Sequence, residues 1–211
     1  MHSVDALIFD MDGTLWDAVD SYAIIWNVSL DQAGINHHPV SRTELIGYMG
    51  SYLDQILNNL VPDVKQQKEL LKLVMDNETA MMPTLGGKLY PGVKEILPIL
   101  ANKYKLFMVS NCGPHGLENF VQYNNLEPYF LDLLSHGGNG LSKTENILLL
   151  IDKYQLKHPV YIGDTQSDAD SSHKAGVPFV WTKYGFGTVV NADAVVTSFY
   201  ELPEAIKIID N

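Results

Sequence analysis

Ala6 to Phe9 is a short, unbroken apolar run that ends in Asp10, the pattern of a strand buried on both faces of a parallel sheet. After Thr14 the period lengthens. Tyr22, Ile25, Trp26, Leu30 and Ala33 recur at helical spacing, with Asp17 placed as an N-cap and Gly34 as a stop. Ser41-Arg42-Thr43-Glu44 has the form of a capping box and predicts a second helix. Leu53, Ile56, Leu57 and Leu60 predict a third. A fourth is expected from about Pro62 to Met81, with Leu70, Leu71, Val74 and Met75 along one side. Nothing between Trp16 and Thr84 predicts a strand. Ordinary strand-to-helix connections are a handful of residues long, so this stretch reads as an inserted helical subdomain, hinged at Leu15 to Asp17 and at Pro83 to Lys88.

Tyr90-Pro91-Gly92-Val93 restarts the core with a helix through Leu100. Strands are predicted at Leu106 to Val109, Leu131 to Ser135, Val160 to Ile162, Phe179 to Trp181 and Ala194 to Val196. Helices are predicted over Pro114 to Gln122, Ser142 to Tyr154, Ser167 to Ala175 and Glu201 to Ile209. Such alternation predicts an α/β fold: a Rossmann-like, three-layer core around a parallel sheet, carrying an all-helical insert. The expected division is residues 1–16 and 85–211 for the core and 17–84 for the helical cap.

Composition narrows the partners. The 211 residues carry a net charge of −11, which repels nucleic-acid backbones and anionic lipid alike. No nucleic acid and no membrane is therefore the expectation, and an anionic substrate would need positive charge inside its site. Cys112 is the single cysteine, so no intramolecular disulfide forms, as suits a reducing compartment. No basic segment precedes the first apolar run, and no apolar run reaches membrane-spanning length. A soluble, cytoplasmic protein, monomer or homodimer, is expected.

Polar groups then gather at predicted strand ends: Asp10 and Asp12, Ser110 and Asn111, and Asp164 with Asp168 four residues on. In open α/β sheets this is where ligands bind. Carboxylates concentrated there are costly unless a cation or a shared proton compensates them. A hard divalent cation with oxygen ligands fits that need. Asp168 would also serve simply as an acid in a helix's first turn. Lys143 falls at the first helical position of the Ser142-Lys143-Thr144-Glu145 capping box, where it opposes the helix dipole. That placement makes sense if an anion lies between the ammonium and the free N–H groups, and it predicts that removing Lys143 leaves stability unchanged or slightly raised.

Together these parts resemble the haloacid dehalogenase superfamily of aspartate-nucleophile phosphotransferases. Asp10-Met11-Asp12-Gly13-Thr14 matches its first motif, Ser110 its second, Lys143 its third and Gly163-Asp164-Thr165-Gln166-Ser167-Asp168 its fourth. The helical insert resembles that family's C1 cap, and the nearest branch is the phosphoglycolate phosphatase group. Thr144, Trp16 and Ser171-Ser172-His173 depart from that branch. The resemblance implies Mg²⁺-dependent hydrolysis of a small phosphorylated metabolite. Asp10 is then the nucleophile and Asp12 the acid and base. Thr14 fixes the loop and helps to position Asp12. Ser110, the Asn111 amide and Lys143 hold the phosphoryl group. Asp10, Asp12 through its carbonyl, and Asp164 hold the metal, with Asp168 in support. The rivals are a sugar phosphomutase and a non-catalytic phospho-ligand sensor; dehalogenation needs neither the second acid nor the metal. Cys112 reads as a small buried side chain. His115, His136, Tyr48, Met49 and Tyr52 are candidates for the pocket wall, and equally for packing.

Overall fold

The computed structural model describes residues 3–61 and 63–210. Strand β1 is Ala6–Phe9, followed by a two-residue strand β2, Trp16–Asp17. Four helices come next: α1, Val19–Gln32; α2, Arg42–Ile46; α3, Leu53–Leu60; and α4, Val64–Leu85. The two-residue β3, Lys88–Leu89, leads to α5, Val93–Ala101. The chain continues through β4, Lys105–Ser110; α6, Gly116–Asn124; β5, Asp132–Ser135; the short α7, His136–Asn139; and α8, Lys143–Tyr154. It ends with β6, Pro159–Gly163; α9, Gln166–Lys174; β7, Phe179–Thr182; β8, Ala194–Val196; and α10, Leu202–Ile209.

Six strands form one parallel sheet in the order β5-β4-β1-β6-β7-β8. The strand run read from the sequence is thus the central one. Its alternation sorts the two faces: Leu7 and Phe9 join one buried cluster with Leu97, Phe120 and Ile206, so α5, α6 and α10 cover that side. Ala6 and Ile8 join another with Ile147, Leu150 and Ala169, so α8 and α9 cover the other. This is the expected three-layer α/β core. Strand order reverses between β1 and β6, which puts the crevice of an open α/β sheet at their carboxyl ends.

The helices between β2 and β3 share an apolar cluster of their own, including Trp26, Leu45, Ile56, Leu57, Leu70 and Val74. The hinges differ from expectation. Trp16–Asp17 pairs antiparallel with Lys88–Leu89, so the two connections form a small ribbon rather than separate loops. Pro83 lies inside the last turn of α4, and the chain turns at Gly86, whose φ is +58°. Asp17 is not the N-cap of α1; Ala18 is. Its carboxylate still accepts the Val19 N–H at 3.1 Å and pairs with Arg42. Ser41 caps α2 by accepting from the Glu44 N–H at 3.2 Å. The expected start of the fourth helix, Pro62, lies outside the described residues. Among the described residues no helix is long and apolar enough to cross a membrane.

Candidate active site

Register places the polar groups. Phe9 pairs with Met108 on one side and with Ile162 on the other, so Asp10, Ser110 and Asp164 emerge together at the ends of adjacent strands. The Asp10 N–H donates to the Ile162 carbonyl at 2.9 Å, extending β1 by one residue before it turns. The turn needs Gly13. Its φ is +79°, and a Cβ there would fall inside the Asp164 carboxylate. Gly185 is held to glycine as well, since a Cβ there would lie 2.4 Å from both the Asp164 Cβ and the Gly13 carbonyl oxygen. Asp164 is itself fixed by the Phe186 N–H, which donates to its Oδ2 at 2.7 Å.

Lys143 is almost wholly buried. Its ammonium donates to Asp10 Oδ1 at 3.1 Å and to Asp168 Oδ1. Full capping by Ser142 and Glu145 fixes the start of α8 and so aims the lysine. The anions opposing the dipole penalty are thus the protein's own carboxylates, which speaks against the expectation that its removal leaves stability unchanged or slightly raised. Asp168 has both oxygens engaged. Its Oδ2 accepts from the Thr165 N–H at 2.9 Å and the Thr165 hydroxyl at 2.7 Å, completing a capping box at α9. Asp10, Asp164 and Asp168 bring carboxylate oxygens within 4.8 Å of one another.

Burial raises the Asp10 carboxyl to about 6, against the pull of Lys143. Asp12 goes further, to about 8, through burial and then the neighbouring Asp10 charge. Asp164 is also pushed well above the ordinary range, first by burial and then by Asp168 and Asp10. Lys143 is penalised by burial, yet Asp10 and Asp168 hold it well above its usual value and charged. One buried cation facing a cluster of acids leaves a surplus of negative charge. Asp164 Oδ1 is buried with no hydrogen-bond partner. An all-oxygen donor set with an orphaned carboxylate oxygen fits a hard divalent cation, and soft metals are disfavoured.

Thr14 is fully buried, but its hydroxyl has no partner and does not reach Asp12. Its carbonyl accepts from the Tyr184 hydroxyl at 2.8 Å, so it anchors the loop through the backbone. Asp12 is held by Tyr22, whose hydroxyl donates to Oδ2 at 3.2 Å, with Trp16 also beside the carboxyl. Helical periodicity assigned Tyr22 to a packed face; nothing in the sequence aims its hydroxyl. Ser110 accepts weakly from the Cys112 N–H at 3.4 Å. Asn111 donates through Nδ2 to the Gly50 carbonyl at 2.8 Å, tying the β4 loop to the helical block.

Between the strand ends and that block lies a cleft, partly open to solvent. Asp10, Asp12, Ser110, Asn111 and Lys143 form its floor, and Cys112 and Met49 also line it. Glu78, on α4, faces the same cleft and was not marked out by the sequence pattern. Burial, with the Asp12 charge, pushes the Cys112 thiol well up, which disfavours the thiolate. The His136 ring packs tilted against Tyr52, with centroids 4.3 Å apart, and His115 takes a left-handed turn; neither lines the cleft.

The fold has close counterparts. A haloacid dehalogenase-like family protein from Streptococcus pneumoniae superposes with a TM-score of 0.86 over 97% of this chain and 99% of that one, at 20% identity. CbbY from Rhodobacter sphaeroides, solved with phosphate, gives 0.80 over 94% and 96% at 15% identity. In sequence, the chain is 25% identical to a phosphoglycolate phosphatase from Vibrio parahaemolyticus over 97% of both chains. It is 24% identical to one from Aquifex aeolicus over 97% of this chain and 96% of that one. The family model of haloacid dehalogenase-like hydrolases matches residues 7–182, and with most of the chain thus covered, the protein belongs to that family.

Proposed function

We propose that the protein is a Mg²⁺-dependent phosphatase that hydrolyses small phosphomonoesters through an aspartyl-phosphate on Asp10, and that it works in the cytoplasm. The observation that carries this is geometric: Asp10 and Asp12 lie on the cleft floor with Lys143, which donates to Asp10 at 3.1 Å, and Asp10 clusters with Asp164 and Asp168, while burial raises Asp10 to about 6 and Asp12 to about 8. That order supports Asp10 as the nucleophile and Asp12, the more strongly raised of the two, as the acid. The relatives named phosphoglycolate phosphatases support the same reaction class.

In the first step an Asp10 carboxylate oxygen attacks phosphorus in line while the ester P–O bond breaks. The leaving oxygen takes its proton from Asp12. In the second, water attacks the aspartyl-phosphate, Asp12 accepts the water proton, and phosphate leaves with Asp10 restored. Ser110, the Asn111 amide and Lys143 are suited to hold the phosphoryl oxygens. Asp10, the Asp12 carbonyl and Asp164 would hold the Mg²⁺, which supplies charge neutralisation for the phosphoryl dianion. Asp168 acts by positioning, since it orients Lys143 and the Asp164 loop.

The helical block of residues 17–84 is read as a cap over this floor. Its closure would exclude water and admit small esters rather than folded phosphoproteins. Turnover of a panel of small phosphomonoesters with Mg²⁺, with and without chelator, is the test. Activity should vanish in Asp10→Asn, and acid quench of wild type should trap a phospho-enzyme. Undiminished turnover in Asp10→Asn would overturn the covalent route, and isomerised sugar phosphate outrunning phosphate release would make the enzyme a mutase.

A further inference from the structure

The wall of the cleft facing the floor is supplied by the helical block, and its charge is of one sign. Among the described residues Lys143 is the single cation lining the cleft, and Asp10 and Asp168 already engage it. Opposite stands Glu78, half-buried on α4. Its position against the strand-end loop is close: a Cβ on Gly113 would lie 3.0 Å from Glu78 Oε2. The remaining wall is largely apolar, with Trp26, Leu45, Leu53, Ile56 and Met82.

A phosphoglycolate molecule carries a carboxylate on its leaving group. In this cleft that carboxylate would meet Glu78 and apolar side chains, with no free cation to receive it. A desolvated charge without a partner is strongly disfavoured, and the ionised fraction of Glu78 adds like-charge repulsion to that cost. Phosphoglycolate also leaves most of the apolar wall untouched. An ammonium would find the opposite environment: a carboxylate acceptor, with the ring of Trp26 on the same wall.

We propose, on the basis of the phosphatase reading above, that this cleft selects phosphomonoesters of amino alcohols, with Glu78 receiving the ammonium, and rejects carboxylated esters such as phosphoglycolate. Glu78 is then a specificity-determining residue for the leaving group and takes no part in the transfer itself. Burial pushes its carboxyl up to about 7, and an approaching ammonium would draw it back to the ionised form.

The test compares 3-aminopropyl phosphate, propyl phosphate and phosphoglycolate, a cationic, a neutral and an anionic ester, by kcat/KM in wild type, Glu78→Gln and Glu78→Lys. Wild type should rank them in that order. Glu78→Gln should lower the aminopropyl ester by roughly tenfold, the size of a lost charge-assisted hydrogen bond, while propyl phosphate stays nearly unchanged. Glu78→Lys should place phosphoglycolate first. A wild type that prefers phosphoglycolate, or a Glu78→Gln that changes all esters equally, overturns the proposal. Titration calorimetry of the same esters on Asp10→Asn separates the two readings, because it needs no chemistry. The same ranking in binding without wild-type turnover of any ester would sink the phosphatase reading and keep the cleft's selectivity. Rapid turnover with no ranking in either measurement would do the reverse.

Discussion

Lys143 Nζ lies 3.1 Å from Asp10 Oδ1 at a point where both side chains are almost completely removed from solvent. The same ammonium meets Asp168, so one cation offsets two interior carboxylates. Removing it leaves those charges uncompensated, which costs about 3–5 kcal/mol for a broken buried pair. Lys143→Met should therefore be strongly destabilising at pH 8. At pH 5 the loss should shrink, because Asp10, raised to about 6, takes up a proton there. Urea unfolding at the two pH values checks this, and a variant as stable as wild type at both would show that the lysine does not balance the acids.

Asp10 and Asp12 are held at about 6 and about 8, above the ordinary 3.8. The folded chain consequently binds more protons than the unfolded chain between those limits. A group raised on folding contributes its stability below the unfolded value and loses it as pH rises through the folded one. Without metal, stability should therefore fall as pH climbs from about 4 to about 8. Mg²⁺ should flatten that slope, since a bound cation favours the ionised carboxylates it contacts. Unfolding midpoints across this range, with Mg²⁺ and with chelator, provide the comparison; superimposable curves would remove the acid cluster as a metal site.

How far the chain announces this site depends on how local each signal is. β1 and its two following acids are contiguous, and the Ser142 capping box sets Lys143 at a helix start without any tertiary information. Both are legible in the sequence. The energetic role of Lys143 is not, because its partners Asp10 and Asp168 lie 133 and 25 residues away. A dipole argument confined to α8 sees neither carboxylate, and so it expects the opposite sign for its removal. The β2–β3 ribbon escapes for a related reason. Each strand has two residues, too few to display a period, and the pairing exists only once the helical block has closed the loop between them. Tyr22 shows a third limit: periodicity identifies which face of α1 packs, but not that a hydroxyl on that face ends against Asp12.

That hydroxyl carries the next prediction. Tyr22 donates to Asp12 Oδ2 at 3.2 Å, a bond that favours the ionised acid and so lowers its pKa against the larger effect of burial. Tyr22→Phe should move Asp12 further up, shifting the alkaline limb of kcat/KM from near 8 to higher pH. Turnover at neutral pH should fall only by roughly twofold to tenfold, the range of one neutral hydrogen bond. Asp12→Asn should instead cost on the order of 10²–10⁴-fold, as general acid–base catalysis is lost. Profiles measured on an alkyl phosphate, whose leaving group needs the proton, distinguish the two. An unmoved limb in Tyr22→Phe would mean that the tyrosine does not touch the acid in the working enzyme.

The proposed opening of the helical block over the strand ends can be tested without altering a hinge. Stiffening Gly86 with proline is unsuitable: its φ of +58° is closed to proline, and any side chain there would enter the Tyr123 ring. The closed contact offers a better handle. A Cβ built on Gly50, in the helical block, would lie 3.6 Å from the Thr165 Cβ in the core, within the roughly 3.5–4.5 Å that a disulfide spans. Gly50→Cys with Thr165→Cys should therefore oxidise to a bridge that holds the block shut. Oxidised protein should lose most of its turnover, and a reducing agent should restore it to the level of the two single variants. Those singles account for the strain of a side chain at Gly50 and for the lost Thr165 hydroxyl at α9. If the bridged protein, verified by mass, turns over small esters as fast as its reduced form, substrate enters and product leaves without the block moving, and it is a fixed wall rather than a lid.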